Sequence, residues 1–368
     1  MNSTSNEAST DASTEKIFYT LFVCFGLPMN ISTFFYMMKR YKHARSFLLL
    51  LHINLNLTDI LVLGPSLIGK LGWLITEDWL AGDLMCRLMR FVDMFAFMAS
   101  SNIMVCIALY RLYALRYPLW VSAVGHSRVP RMLFSAWVIA AMTSLPQLFL
   151  WQEAMIGGRP NCVNTWMVDF SPETFWNDGA NKMLIYVVAS SIVVFYIPCA
   201  ILVICYVLIL KDIYATLTYD SDASSVLYIA ELTRLSSCGR SSKEKQQLQQ
   251  QQIQGNAVAL HPQQSSLRGQ DRFQRAKIRS LRITLFLILC YVVTWLPYNM
   301  LIWVMVYDLS YYMMTLESKL YFLNCLVYFN SVINPFIYGR CQGLKMLWRW
   351  RNTTGQKKSK HLCWILQH

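Results

Sequence analysis

Charged residues are scarce in this chain of 368 residues. They form 14% of the sequence, while apolar residues form 55%. An average soluble domain carries about 25% charged residues. The composition is therefore atypical of a soluble domain and favours a protein that places most of its length in a membrane.

Motifs typical of enzymes and transporters are missing as well. The chain contains no GxxxxGK, HExxH or GxSxG motif, which are signatures of nucleotide binding, zinc peptidases and serine hydrolases. The eleven cysteines include no CxxC pair, and no histidine cluster accompanies them, so a metal site is not indicated. No internal repeat with broken helices suggests a transporter. The sequence therefore does not predict an enzyme.

Seven apolar runs approach the ~20 residues that cross a bilayer. They lie at about 17–39, 47–70, 86–110, 131–151, 183–210, 281–305 and 318–338. We therefore predict an all-α membrane protein, a seven-transmembrane helix bundle followed by a short amphipathic helix. The predicted segments are an extracellular disordered tail at 1–16, helices one to five at 17–212, a long disordered cytoplasmic loop at 213–275, helices six and seven at 276–340, and an amphipathic helix with the cytoplasmic tail at 341–368.

Charge distribution predicts the orientation. The segments that follow spans one, three, five and seven hold 26 of the 33 Lys and Arg residues but only six of the 20 acids. The positive-inside rule places these segments in the cytoplasm and the N-terminus outside. A basic chain can also indicate nucleic-acid binding. Here the charge flanks apolar spans, so we expect no nucleic-acid partner.

Single polar residues and prolines recur at a fixed depth in the spans. Such side chains cost several kcal/mol in hydrocarbon unless partnered, so they are candidate functional sites. In chain order they are Asn30, Asp59, Arg111, Trp137, Pro198, Trp295 with Pro297, and Asn334-Pro335 with Tyr338. This series resembles the rhodopsin-like (class A) G-protein-coupled receptors over roughly residues 17–350. The resemblance implies a multi-pass plasma-membrane receptor with heterotrimeric G protein, arrestin, receptor kinases and membrane lipid as partners.

The resemblance also implies a disulfide bond. Cys86 at the mouth of span three and Cys162 in the loop after span four lie on the oxidising side, and a bond between them would pin that loop over the bundle opening. Asn2 begins a glycosylation sequon on the same side. Cys341 and Cys363 are palmitoylation candidates.

A polar cluster is expected around Asp59. A buried carboxylate needs a cation or several donors, and amide and hydroxyl oxygens suit a hard cation. The residues that match the sodium site of many class A receptors are Asn30, Asp59, Ser100, Asn330, Ser331 and Asn334. The resemblance thus implies an allosteric sodium ion at Asp59, with a hydrogen-bonded network lacking sodium as the alternative. We expect no other cofactor.

A second set of residues would relay activation. Prolines remove backbone hydrogen bonds and permit kinks, and kinked helices can alternate between two packings. Trp295 resembles the aromatic toggle of the family. Tyr206 and Tyr338 match the two tyrosines that, in the family, move inward beside the position of Arg111 on activation. The set is Arg111, Tyr206, Trp295, Pro297, Pro335 and Tyr338.

The chain departs from the family around Arg111. Tyr110 replaces the acid that usually precedes this arginine, and Lys277 stands where an acidic partner is frequent. The usual resting salt bridges therefore cannot form. We hypothesise that hydrogen bonds from Tyr110 or other residues hold the resting state and that basal signalling is raised.

The sequence is compatible with two classes of ligand, a biogenic amine or a peptide. Asp93 lies where amine receptors bind an ammonium group, and Ser190, Ser191 and Tyr328 lie where they place polar contacts. Lys70 could pair with Asp93, which suits a peptide, or could extend to the membrane interface. A light receptor needs a lysine in span seven to form a Schiff base, and Tyr328 occupies the matching position. The sequence therefore does not predict a light receptor.

Three stretches favour a peptide. Residues 79–87, 100–106 and 144–147 resemble the receptors for gonadotropin-releasing hormone, adipokinetic hormone, corazonin and vasopressin. This resemblance implies a short amidated neuropeptide and coupling through Gq. The candidate pocket residues are Lys70, Asp93, Trp295, Tyr298, Asn299, Trp303, Asn324 and Tyr328.

Overall fold

The computed structural model describes residues 13–168, 179–215, 281–312 and 321–342. Within them, seven helices carry the fold. They are α1 (Ser13–His43), α2 (Phe47–Thr76), α3 (Gly82–Arg116), α4 (Pro118–Ser144), α5 (Ala180–Ala215), α6 (Leu281–Tyr307) and α7 (Cys325–Gln342). The predictions on Asn2, Lys277, Cys363, residues 216–275 and the amphipathic segment from 343 onwards lie outside the described residues.

The helices confirm the predicted fold class. Six of them, among the residues described, are long and apolar enough to cross a membrane, and α7 contributes a shorter apolar helix at Cys325–Ile337. The first helix starts at Ser13, four residues before the predicted start at 17. The apolar run could not reveal this start, because Glu15 is charged but buried, with 3% of it exposed.

Prolines distort three of the helices. π-helical turns occupy Phe22–Gly26 in α1, Val62–Ser66 in α2 and Ile192–Tyr196 in α5. Each lies beside or around a proline, which cannot donate a backbone hydrogen bond and crowds the preceding turn. Pro198 therefore follows a local distortion, whereas α6 and α7 stay helical through Pro297 and Pro335.

The second and third helices form the packing centre. α3 packs against α2 and α4, α2 packs against α1, and α7 packs against α1 and α2. The share of buried residues in the most apolar stretch of each helix is 61% for α2 and 56% for α3, but only 17% for α1. Trp137 of α4 donates from its indole to the Asn54 side chain of α2 (3.1 Å). Of the described helices, α2 carries the largest number of buried polar residues, namely His52, Asn56, Thr58, Asp59 and Ser66.

The chain divides into two units, and the second contains described residues only at 206–215 and 281–283. Its described part comprises the end of α5 and the first residues of α6. Within it, the hydroxyl of Tyr206 donates to the carbonyl of Leu281 (2.9 Å), and Tyr206 is buried.

A β-hairpin follows α4. Strand β1 (Trp151–Ile156) pairs antiparallel with β2 (Arg159–Asn164). Gly157 and Gly158 make the turn with φ of 58° and 79°, a backbone region that glycine adopts without a steric penalty. The hairpin places Cys162 opposite Glu153.

Candidate functional site

The predicted disulfide bond is confirmed. Cys86 at the start of α3 is joined to Cys162 of β2, with a Cα–Cα distance of 5.5 Å. Polar contacts add to this attachment. The Trp79 amide donates to the Pro160 carbonyl (2.8 Å), and the Glu153 amide donates to the Asp83 carboxylate (2.9 Å). The hairpin is thus fixed across the N-terminal end of α3.

Asp93, in the N-terminal half of α3, has two hydrogen-bond partners. The hydroxyl of Ser66 donates to Asp93 Oδ1 (2.6 Å), and Arg90 Nη1 donates to Asp93 Oδ2 (3.2 Å). The side chains of Arg90 and Asp93 are only 18% and 17% exposed. The carboxylate is therefore neutralised by a cation of the protein itself.

Two tryptophans hold the Arg90 side chain. Its guanidinium carbon lies 5.0 Å from the ring centroid of Trp73 in α2 and 4.6 Å from that of Trp151 in β1. Both distances are within the range of a cation–π interaction. Trp73 and Trp151 also pack beside the cluster of Trp79, Cys86 and Cys162. Arg90 thus connects Asp93 to the hairpin.

Lys70 pairs with the first helix. Its ammonium donates to the hydroxyl of Tyr19 (2.9 Å) and lies 3.4 Å from Glu15 Oε1. It also lies 5.0 Å and 5.6 Å from the ring centroids of Tyr19 and Tyr328. Direct ion pairs therefore join Lys70 to Glu15 and Arg90 to Asp93, while the expected attraction between Lys70 and Asp93 acts over a longer distance.

Sequence reasoning missed Glu15 and Arg90. Glu15 falls in the predicted tail, so nothing in the pattern brought it to α2. Arg90 lies three residues before Asp93, a spacing that brings two side chains together on a helix. The spacing of Arg90 and Asp93 could therefore have indicated their pairing from the sequence alone.

An aromatic cluster surrounds Trp295, which is 6% exposed. Its ring lies 5.4 Å from that of Phe97, edge to face, and stacks at 6.2 Å on Phe195. Tyr291 and Tyr298 lie at 5.8 Å and 6.3 Å. Helices α3, α5 and α6 therefore meet at this tryptophan.

Asn299 and Tyr328 extend this cluster, whereas two other predicted pocket residues do not. Asn299 is buried, donates to the Trp295 carbonyl (2.8 Å) and accepts from the hydroxyl of Ser191. Tyr328 contacts Phe97 edge to face at 5.4 Å. Trp303 is 56% exposed and donates to the hydroxyl of Tyr196 (2.6 Å). Asn324 is half-buried in the turn directly before α7.

All six predicted residues of the Asp59 cluster are buried. Asn334 donates to both carboxylate oxygens of Asp59, at 2.9 Å and 3.0 Å. Asn30 donates to the carbonyls of Gly26 and Ser331. The exposed fractions are 0% for Asn30 and Asp59, 6% for Ser100, 3% for Asn330 and Ser331, and 1% for Asn334.

The donor set fits a sodium ion. The buried Asn330 Oδ1 has no hydrogen-bond donor among the described residues, and Asp59 supplies the negative charge. Carboxylate, amide and hydroxyl oxygens are ligands of hard cations. No cluster of three His, Cys, Asp or Glu occurs in the described parts of the chain, so a transition-metal site has no support there.

The remaining activation residues are described only in part. Arg111 is half-buried in α3, Pro297 is half-buried in α6, and Pro335 is buried in α7. Tyr338 lies within α7, but its side chain is outside the described residues. How these side chains move on activation stays a prediction.

Comparison with known proteins identifies the family. The model of the 7 transmembrane receptor (rhodopsin family) matches residues 30–338. The G-protein coupled receptor daf-38 of Caenorhabditis elegans is 27% identical, with 85% of each chain covered. A gonadotropin-releasing hormone receptor of Octopus vulgaris is 26% identical over 82% of this chain and 64% of its own length, and the mouse vasopressin V1b receptor is 25% identical over 70% and 55%. Proteins of this family are receptors and not enzymes. The chain belongs to the rhodopsin family of seven-transmembrane receptors.

Proposed function

We propose that this chain is a plasma-membrane receptor for a short amidated neuropeptide, with its N-terminus outside the cell, and that it signals through a heterotrimeric G protein of the Gq class. Arrestin and receptor kinases would act on its cytoplasmic side. The main observation in favour of a peptide ligand is the ion pair between Asp93 and Arg90.

That pairing removes the main support for an amine ligand. An amine receptor needs a carboxylate that is open to an ammonium group. Here an ammonium would have to displace a guanidinium held by Trp73 and Trp151. Ser191, the other predicted amine contact, already donates to Asn299. The relatives named for gonadotropin-releasing hormone, cephalotocin and vasopressin also favour a peptide.

The charge of the outer pocket supports a ligand with blocked ends. Two acids, Glu15 and Asp93, and two bases, Lys70 and Arg90, pair with one another there. The charges of these four described residues cancel, so the two ion pairs supply no excess charge to attract a charged terminus. An amidated peptide lacks the charged carboxylate at its C-terminus and would fit such a surface.

Binding would be relayed through the aromatic cluster. Trp295 joins α3, α5 and α6 by ring contacts, so a ligand that shifts one ring favours a different packing of the helices. An agonist that binds this packing more tightly increases its population. A sodium ion held by Asp59, Ser100, Asn330 and Asn334 would supply positive charge to the buried carboxylate and stabilise the inactive packing.

Intracellular calcium tests this proposal. Cells that express the chain would receive amidated peptides of the gonadotropin-releasing hormone, adipokinetic hormone, corazonin and vasopressin types, beside a panel of biogenic amines. We expect a response to a peptide that a Gq inhibitor blocks. A response to amines alone would overturn the peptide proposal, and a peptide response that survives the inhibitor would overturn the Gq assignment.

The same cells test basal signalling. Tyr110 precedes Arg111 and removes the acid that would restrain it. We expect ligand-free cells to signal above mock-transfected cells, and Tyr110→Asp to lower that signal at equal surface expression. Equal signals in receptor and mock cells would reject raised basal activity.

A further inference from the structure

A cavity of about 400 Å³ lies between the end of α1 and the start of α2. Its walls are Tyr41, Lys42, Arg45 and Phe47. This volume falls within the range of small-molecule pockets. The cavity is at the opposite end of α1 from Glu15, on the side that the charge distribution assigns to the cytoplasm.

The positive charge at this cavity is not balanced by nearby acids. Lys39, Arg40, Lys42 and Arg45 fall within seven residues, and the sequence has no Asp or Glu between positions 39 and 58. Lys42 and Arg45 are exposed. Neither forms an ion pair with a carboxylate in the described part of the chain. Two cations therefore face one cavity without an anionic partner there.

The backbone and a neighbouring helix fix these walls. Arg45 adopts a left-handed conformation (φ 36°, ψ 39°), and its amide donates to the Tyr41 carbonyl (2.9 Å). This conformation is uncommon for a residue other than glycine. Phe47 packs on Gly125 of α4, where an added Cβ would lie 2.9 Å from the ring. The aromatic wall can thus approach α4 only because position 125 has no side chain.

We propose that this cavity binds a phosphomonoester group, as carried by a phosphoinositide headgroup or by a free inositol phosphate. Arg and Lys donate charge-assisted hydrogen bonds to phosphate oxygens. Basic clusters at the cytoplasmic membrane surface attract anionic lipids, and tyrosine suits the boundary between water and lipid. The site rests on the orientation proposed above but not on the identity of the agonist.

Lipid binding to the full chain tests the site. The receptor would be placed in phosphatidylcholine nanodiscs with added phosphatidylinositol bisphosphate or phosphatidylserine, and bound lipid measured by native mass spectrometry. Lys42→Gln with Arg45→Gln should weaken phosphatidylinositol bisphosphate binding by about 100-fold, because each substitution removes charge-assisted hydrogen bonds to phosphate and so costs about a factor of ten.

Lys39→Gln with Arg40→Gln is the matched control, because it removes the same charge from α1 outside the cavity walls. We expect a loss of only a few-fold there. Equal losses in both variants, or equal binding of phosphatidylserine, would overturn the proposal in favour of general surface charge. Displacement of the lipid by free inositol trisphosphate would assign binding to the phosphates alone, and its failure would assign it to the membrane lipid. Because no agonist is used, this result is independent of the ligand proposal.

Discussion

Two carboxylates of this receptor have partners of different kinds. Asp93 in α3 is paired with a guanidinium and accepts from a hydroxyl. Asp59 in α2 is fully buried and accepts two hydrogen bonds from the neutral amide of Asn334. A carboxylate with a protein cation is closed to further cations, whereas one with neutral donors can still bind a small ion. The partner, and not the depth of the acid, decides its role.

The largest expected effect comes from Arg90→Met. It leaves the buried Asp93 without its cation, and breaking a buried ion pair in this way costs about 3–5 kcal/mol. The loss of stability should lie near the lower limit of this range, because the side chains of Arg90 and Asp93 keep some exposure to solvent. Thermal unfolding of the purified receptor in detergent measures it. Arg90→Lys is the control that keeps the charge but loses the planar contact with the tryptophans.

The same variant tests the exclusion of amines. If Arg90 is what closes Asp93 to ammonium groups, the Met variant should bind amines more tightly than the parent does. No gain in amine binding, with the receptor still folded, would show that another feature excludes them.

Exchanging the charges of Glu15 and Lys70 tests the second outer ion pair. Lys70→Met should destabilise the receptor by about 2 kcal/mol, less than Arg90→Met, because the contact between Lys70 and Glu15 is longer at 3.4 Å. Glu15→Lys combined with Lys70→Glu should recover much of the loss. Recovery by an exchange between Lys70 and Asp93 instead would show that the sequence-based pairing was correct.

Sodium should stabilise the receptor through Asp59. At a concentration ten times its dissociation constant, a bound ion adds about 1.4 kcal/mol. Thermal unfolding in sodium chloride, compared with choline chloride at equal ionic strength, measures this difference. Asp59→Asn should abolish it, because the amide supplies no negative charge. A sodium effect that persists in this variant would place the ion elsewhere.

The sequence predicted the Asp59 cluster better than the outer pocket. Residues such as Asn30 and Asn334 stand out because polar side chains are rare in apolar spans, and each proved to be buried. Asp93 was visible for the same reason, but its partner Arg90 lies near a helix end, where basic residues are ordinary. The burial of Glu15 could not be predicted, because a charged residue in a polar N-terminal segment is expected to be exposed. The pairing of charges across helices depends on their rotation and packing, which hydrophobic pattern alone does not give.

The smallest expected effect is that of Asp83→Asn, which isolates burial from ion pairing. Asp83 pairs with Arg87 on the same helix as the Arg90–Asp93 pair, with a shorter contact of 2.7 Å but side chains 49% and 31% exposed. Water screens such a pair, so its loss should cost about 0.5 kcal/mol, and the amide oxygen can still accept from Glu153. The same unfolding measurement as for Arg90→Met makes the comparison direct. If Asp83→Asn lowered the stability as much as Arg90→Met, exposure would not explain a difference between the two ion pairs. The inference that burial of the Arg90–Asp93 pair keeps Asp93 from binding other cations would then lose its support.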